Sequence, residues 1–391
     1  MKSKYIILIV LAVLLLGIGI TLIQKNNGIE PLLFQPTSSE VPEINQQGER
    51  GSPENKERDI EPQSVISNLS IPWDMVFIGD DVLVTQRTGN VVRINLNSNK
   101  REVVYTSVSS SRGEGGLLGI VLHPAFDDND LLYLYETYES SNGTRNKVTQ
   151  YRYRNDSLQE QSVLIDNIPG AVYHDGGRMA FGPDDKLYVT TGDATNKDLA
   201  QNLNSLAGKI LRLNDDGSIP SDNPFENSPI YSYGHRNPQG LAWDSNGNLW
   251  STEHGPSGLS AGQDELNRIV AGGNYGWPYY SGTERPGPNQ DAPAPNLRYP
   301  AIGSGPDEVW APAGLAYHDG YLYFGGLRGE ALYRAQVNNG TAINLRRLYA
   351  GDYGRLRFTQ INNDMLYFST SNTDGRGTPN SNDDKIFRLS L

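Results

Sequence analysis

The sequence predicts an all-β fold, a six-bladed β-propeller of four-stranded antiparallel blades, from three observations. A turn followed by an apolar-aromatic strand recurs six times, and each copy is followed by a strand carrying an arginine between apolar neighbours. The 391 residues also include 42 Gly, 23 Pro and 22 Tyr, a composition that suits many short strands joined by tight turns. A closed all-β ring can use most of such a length as one domain.

From the N-terminus, residues 5–23 form an uncharged apolar run of 19 residues, about what a bilayer core requires. Lys2 and Lys4 precede it and Lys25 follows, a modest bias toward a cytoplasmic N-terminus and an exported remainder. Residues 1–24 are therefore expected to be a membrane anchor. A cleaved signal peptide is the rival reading, although the run is long for one and no small-x-small site follows it. Residues 25–62 are rich in Pro, Glu, Asn, Gln and Ser and read as a flexible linker. Residues 63–391 read as the propeller, on the extracytoplasmic side of the cell membrane, or secreted if the N-terminus is cleaved.

The turn-strand copies are DDVLVTQ, NDLLYLYE, DDKLYVTTGD, NGNLWSTEHG, DGYLYFGG and NDMLYFSTS, anchored at Leu83, Leu132, Leu187, Leu249, Leu322 and Leu366. Their intervals run from 44 to 73 residues, enough for four strands with variable loops. The arginine strands carry Arg93, Arg152, Arg212, Arg268, Arg334 and Arg388, and their recurrence at one position marks them as structural. Small-residue or apolar strands such as GGRMAFGPD and PAGLAYHD precede the copies, and outer strands such as REVVYTS follow most of them. The last unit has no outer strand before Leu391, so residues 64–70 are expected to pair with residues 385–391 and close the ring.

A formal net charge of −12 without a Lys/Arg-rich run leaves no footprint for a phosphate backbone, so nucleic acid is not an expected partner. Zero cysteines exclude disulfides, thiolate metal sites and a thiol nucleophile.

Propellers gather chemistry on the loops at one end of the channel, so breaks in the repeat mark the candidate site. The breaks are GEGGLLG at 113–119, YHDGGR at 173–178, GHRNPQG at 234–240, EHGPSG at 253–258 and GRLR at 354–357. A neutral imidazole at His174 can accept a proton near neutral pH. A fixed cation at Arg236 can stabilise charge developing on an oxygen. Calcium accepts backbone carbonyls such as those of Gly255 and Pro256, although a plain Gly-Pro turn would serve equally. Arg355 and Arg357 alternate, so a strand would place both on one face, where paired forks suit carboxylates or simply face solvent.

The ordered set GKILRLNDDGSIPSDNPF, YGHRNPQGLAW, EHGP and DELNRIVAGGNYGWP resembles the soluble quinoprotein glucose dehydrogenases and related aldose sugar dehydrogenases. The resemblance runs from about Pro72 to Leu391. It implies pyrroloquinoline quinone and calcium as cofactors, an aldose as substrate and a separate electron acceptor of unknown identity. It further implies that His174 takes the anomeric hydroxyl proton, that Arg236 and Asn237 face the quinone's reactive carbonyl, and that Gly255 and Pro256 hold calcium through their carbonyls. Arg355, Arg357 and Glu114 are implied to contact the cofactor, and Glu114, Tyr173 and Trp310 the sugar. Three positions depart from the glucose-oxidising members: Glu114 replaces a glutamine, Tyr173 an aspartate and Leu327 a lysine. Two other function classes remain open, a calcium-dependent propeller hydrolase of lactonase type and a non-catalytic binding module. A hydrolase generally needs side-chain carboxylate and Asn ligands, whereas EHGP offers mainly carbonyls; a binding module would be expected to lack His174 or the arginine set.

Overall fold

The computed structural model describes residues 60–109, 111–258, 261–282 and 295–391. The expected anchor at residues 1–24, and the expected linker up to residue 59, lie outside the described residues.

Twenty-four strands follow in chain order. A single strand, β1 (Gln63–Ile66), precedes the first blade of β2 (Pro72–Ile78), β3 (Asp81–Gln86), β4 (Asn90–Asn95) and β5 (Arg101–Thr106). The second blade is β6 (Leu117–Leu122), β7 (Leu131–Ser140), β8 (Gly143–Arg154) and β9 (Ser157–Pro169), and the third is β10 (Met179–Phe181), β11 (Leu187–Thr191), β12 (Lys209–Leu213) and β13 (Ile230–Tyr233). The fourth is β14 (Pro238–Trp243), β15 (Leu249–Glu253), β16 (Glu265–Ile269) and β17 (Ile302–Gly303), and the fifth is β18 (Pro312–His318), β19 (Tyr321–Gly326), β20 (Ala331–Asn338) and β21 (Thr341–Leu348). The sixth sheet combines β22 (Leu356–Asn362), β23 (Met365–Thr370) and β24 (Ile386–Ser390) with β1 on its outer edge.

The predicted closure is therefore present: Gln63 pairs with Arg388 and Ile66 with Ile386 in antiparallel register. The strand ends at Ile66 rather than 70, but Asn68 and Leu69 continue the attachment by donating to the carbonyls of Asn382 and Asp384. Pairing β24 on both sides removes an edge that would otherwise be open to another chain.

First strands pack against one another in the cyclic order β2, β6, β10, β14, β18, β22 and back to β2, so they line the channel. Second strands carry the core: Leu83, Leu132, Leu187, Leu249, Leu322 and Leu366 are all buried between blades. Turn chemistry sets the hairpins, as where Asn363 and Asp364 both take left-handed backbone between β22 and β23, the conformation a two-residue hairpin favours. The repeated arginines are peripheral braces, as expected. Arg93 pairs with Asp81, Glu102 and Asp156, and Arg212 with Asp184 at 2.9 Å and Asp222 at 2.8 Å.

Candidate active site

The breaks in the repeat converge at one channel end, formed by the starts of first strands and the ends of second strands. Glu114 precedes β6, His174 precedes β10, Arg236 and Asn237 precede β14, Gly255 and Pro256 follow β15, and Arg355 directly precedes β22.

His174 is held at φ +65°, in the left-handed region, by contacts on both sides. Gly192, at the end of β11, approaches so closely that a Cβ there would lie 1.9 Å from the His174 carbonyl oxygen. Asp193 follows, and His174 Nδ1 donates to its Oδ1 at 2.7 Å. The same carboxylate accepts from the Thr195 amide and from Trp277 Nε1, both at 2.8 Å, so it is fixed on two sides. With the proton on Nδ1 facing a carboxylate, Nε2 is left as the acceptor.

Glu114 is committed differently from the sequence reading. Its Oε2 accepts from the His174 amide at 3.0 Å and its Oε1 from Arg376 at 2.8 Å. Burial alone would raise its pKa; the Arg376 guanidinium and the His174 amide outweigh that and hold it below the usual carboxylate range. Glu114 thus lines the cavity as a fixed anion and holds the His174 backbone, a poor general base. Tyr173, 45% exposed, lies under Arg376, whose guanidinium carbon is 5.3 Å from the ring centre.

Asn237 accepts at Oδ1 from the Gly176 amide and from Gln239, each at 3.1 Å, which leaves its buried Nδ2 without a partner. Arg236 donates to Ser257 Oγ at 3.0 Å and to the His254 carbonyl at 3.4 Å, with its guanidinium 5.5 Å from the Trp277 ring. Arg355 is forked onto Asp374 and donates to the Leu327 carbonyl at 2.9 Å. Arg357 donates to Gln239 Oε1 at 3.0 Å, and burial pushes its pKa down to about 9. Its Nε has no partner. Burial also pushes His254 down to about 3, so it is neutral, with an unpartnered Nε2. Trp73, Glu114, Asp175, Gln239, His254 and Arg357 line one cavity.

Buried polar groups are nearly always paired, so the unpaired Arg357 Nε in the cavity wall and Asn237 Nδ2, next to the lining Gly176 and Gln239, are open donors for an acceptor-bearing ligand, while the unpaired Asp175 Oδ2 on the same wall is an open acceptor. A quinone with several carboxylates fits that demand. The calcium expectation rests on two backbone carbonyls, those of Gly255 and Pro256. Asp264 accepts the Gly255 amide at 2.8 Å, and no described residue donates to the Gly255 or Pro256 carbonyls. A Cβ on Gly255 would lie 2.0 Å from the Gly262 carbonyl, so only glycine fits there. Among the described residues no three His, Cys, Asp or Glu side chains gather as a metal cluster, so carbonyls would have to carry the site.

Trp310 does not join the others. Its side chain is buried between Phe324 and Tyr333 in the fifth blade, held there because its amide donates to Asp264 at 2.7 Å. Asp193, Arg376, Gln239 and His254 were not singled out by the sequence reading. Asp193 had a readable signal, an acid ending the second-strand copy LYVTTGD; Arg376 had none.

The family model for glucose/sorbosone dehydrogenase matches residues 69–379. The chain belongs to this family. It is 36% identical over 262 residues to quinoprotein glucose dehydrogenase B of Acinetobacter calcoaceticus, covering 58% of this chain and 54% of that protein. The chain thus spans about half the length of that relative. Within the family, the PQQ-bound aldose sugar dehydrogenase of Streptomyces coelicolor superposes with a TM-score of 0.77 at 36% identity, covering 85% of this chain and 97% of that one. A Thermus thermophilus protein described as an oxidoreductase (glucose dehydrogenase) gives 0.77 at 39% identity, covering 84% of this chain and 99% of that one.

Proposed function

We propose that the protein oxidises aldose sugars at the anomeric carbon to lactones, using pyrroloquinoline quinone with calcium, and passes the electrons to a separate acceptor outside the cytoplasm. The observation that carries this reading is the His174–Asp193 pair at 2.7 Å beside a cavity edged by unpaired buried donors. The names of the relatives support the cofactor and the substrate class.

Bound pyrroloquinoline quinone supplies a hydride acceptor for the anomeric carbon. Arg355, Arg357 and Asn237 would hold it, and the Gly255 and Pro256 carbonyls would hold calcium. His174 Nε2 removes the anomeric hydroxyl proton as the C–H bond breaks, which lowers the barrier because the carbonyl forms without a positive oxygen. Asp193 orients the ring and stabilises the imidazolium formed. Arg236, fixed by Ser257 and Trp277, offers a cation to oxygen that gains negative charge. Glu114 keeps the His174 backbone in place while Arg376 and Tyr173 shape the entrance.

Residues 1–24 would anchor the chain in the membrane with the propeller extracytoplasmic. The hydrolase reading is weaker, because it would need a side-chain ligand cluster that the described residues lack. Adding the quinone and calcium to purified protein and following dye reduction across a panel of aldoses tests the proposal. Dye reduction with lactone formation is expected; binding of the quinone with no aldose oxidised would reject it.

A further inference from the structure

Arg87 carries a buried charge that forms no ion pair among the described residues. It directly follows β3, and its backbone is pinned on both sides: its amide donates to the Ile71 carbonyl at 3.0 Å and its carbonyl accepts from the Leu117 amide at 3.2 Å. The residue is 8% exposed, its Nε is sealed from solvent without a partner, and no described residue pairs with its guanidinium. An unpaired guanidinium in such a position carries a large desolvation penalty.

The acids whose field reaches Arg87 are Asp374 and Glu114, and both are already committed. Asp374 is bound by Arg355 at 2.8 Å, and Glu114 by Arg376 at 2.8 Å and the His174 amide at 3.0 Å. Arg355 and Arg376 repel Arg87, and Arg357 shares the same field. Asp374 and Glu114 are thus taken up by Arg355 and the exposed Arg376, which leaves buried Arg87 and Arg357 without an acid bound to either and an excess of positive charge between them. Proteins seldom retain such an excess without an anion to receive it.

We propose that Arg87 is a third guanidinium anchor for the carboxylates of the cofactor, acting with Arg355 and Arg357. This rests on the quinone reading above. Leu327 offers Arg355 a carbonyl but no charge. Arg87, directly after β3 in the first blade, supplies a further positive charge.

The test is quinone binding, followed by fluorescence quenching in the full-length apoprotein with calcium, for wild type, Arg87→Gln and Arg87→Lys. Arg87→Gln should weaken binding ~10-fold or more, the loss of one charge-assisted hydrogen bond, with partial recovery in Arg87→Lys. The trimethyl ester of the quinone should bind wild type and both variants alike. The apoprotein of Arg87→Gln should unfold at the same temperature as wild type or higher, whereas a purely structural arginine would lower it. Affinity within twofold of wild type, or an equal loss with the ester, would overturn the proposal. If wild type binds no quinone, the cofactor reading fails, and citrate becomes the probe of Arg87 alone. Citrate affinity that depends on Arg87 would keep the anion site; citrate affinity indifferent to it would remove it.

Discussion

Replacing Asp193 by Asn isolates the electrostatic part of the proposed base. The side chain keeps its shape, but its carboxylate currently accepts three hydrogen bonds, from His174 Nδ1 at 2.7 Å and from Thr195 and Trp277 at 2.8 Å. An amide has one oxygen for these three donors, and its NH2 must face either the imidazole or the indole. Either orientation costs the imidazolium its charge-assisted partner, about 1.5–3 kcal/mol. That corresponds to a fall in turnover of ~10- to 150-fold. His174→Ala should cost more, ~100- to 10,000-fold, because it removes the base itself. The double variant should be no slower than His174→Ala, since Asp193 acts only through the imidazole. Steady-state dye reduction with quinone and calcium reads all three. A turnover for Asp193→Asn within twofold of wild type, or additive losses in the double variant, would refute this account of the pair.

Glu114 has a folded pKa held below its ordinary value of 4.5 by Arg376 and the His174 amide, so it stabilises the fold above pH ~4.5 and loses that contribution as pH falls through the lowered folded value. Urea unfolding should find Glu114→Gln less stable by about 1–3 kcal/mol at pH 7, the loss of a charge-assisted hydrogen bond, with the gap closing as pH falls well below 4.5; a gap that persists in acid would contradict this. Glu114→Gln should nevertheless keep substantial turnover, because His174 is the base. Gly255→Ala should weaken calcium binding measured by calorimetry, since its Cβ must displace the Gly262 carbonyl. Leu187→Ala, in the cluster that joins the second and third blades, should cost about 2–5 kcal/mol in denaturant unfolding. Removing residues 1–59 should leave a folded monodisperse ring, whereas removing residues 1–66 also takes β1 and should produce association by size-exclusion chromatography.

The ring was legible because its signals are local. A turn pair such as Asn363–Asp364 and the alternating strand beside it read within ten residues, and six copies fix the blade count. The closure by residues 64–70 is not local, and it was legible because the sixth unit lacked the outer strand that most of the other units have. The site was legible only in part. His174, Arg236, Asn237, Arg355 and Arg357 lie in visible breaks of the repeat, and the structure brings them to one channel end. Arg376 was not legible, since its role arises from a contact with Glu114 across 262 positions of sequence. Arg87 directly follows an ordinary strand copy, and only burial and the prior commitment of Asp374 and Glu114 expose it. Trp310 misled because sequence does not reveal direction: its ring turns into the fifth blade while its backbone amide braces Asp264. The membrane anchor expected at residues 1–24 lies outside the described residues.

Stopped-flow reduction of the bound quinone by an aldose, comparing the C1-protonated sugar with its C1-deuterated form, tests the proposed chemistry most directly. Wild type should show a primary isotope effect on rapid bleaching of the oxidised cofactor. His174→Ala should bind the quinone with near wild-type affinity and reduce it at least ~100-fold more slowly. Reduction of the bound quinone by no aldose, or an unimpaired rate in His174→Ala, would contradict it.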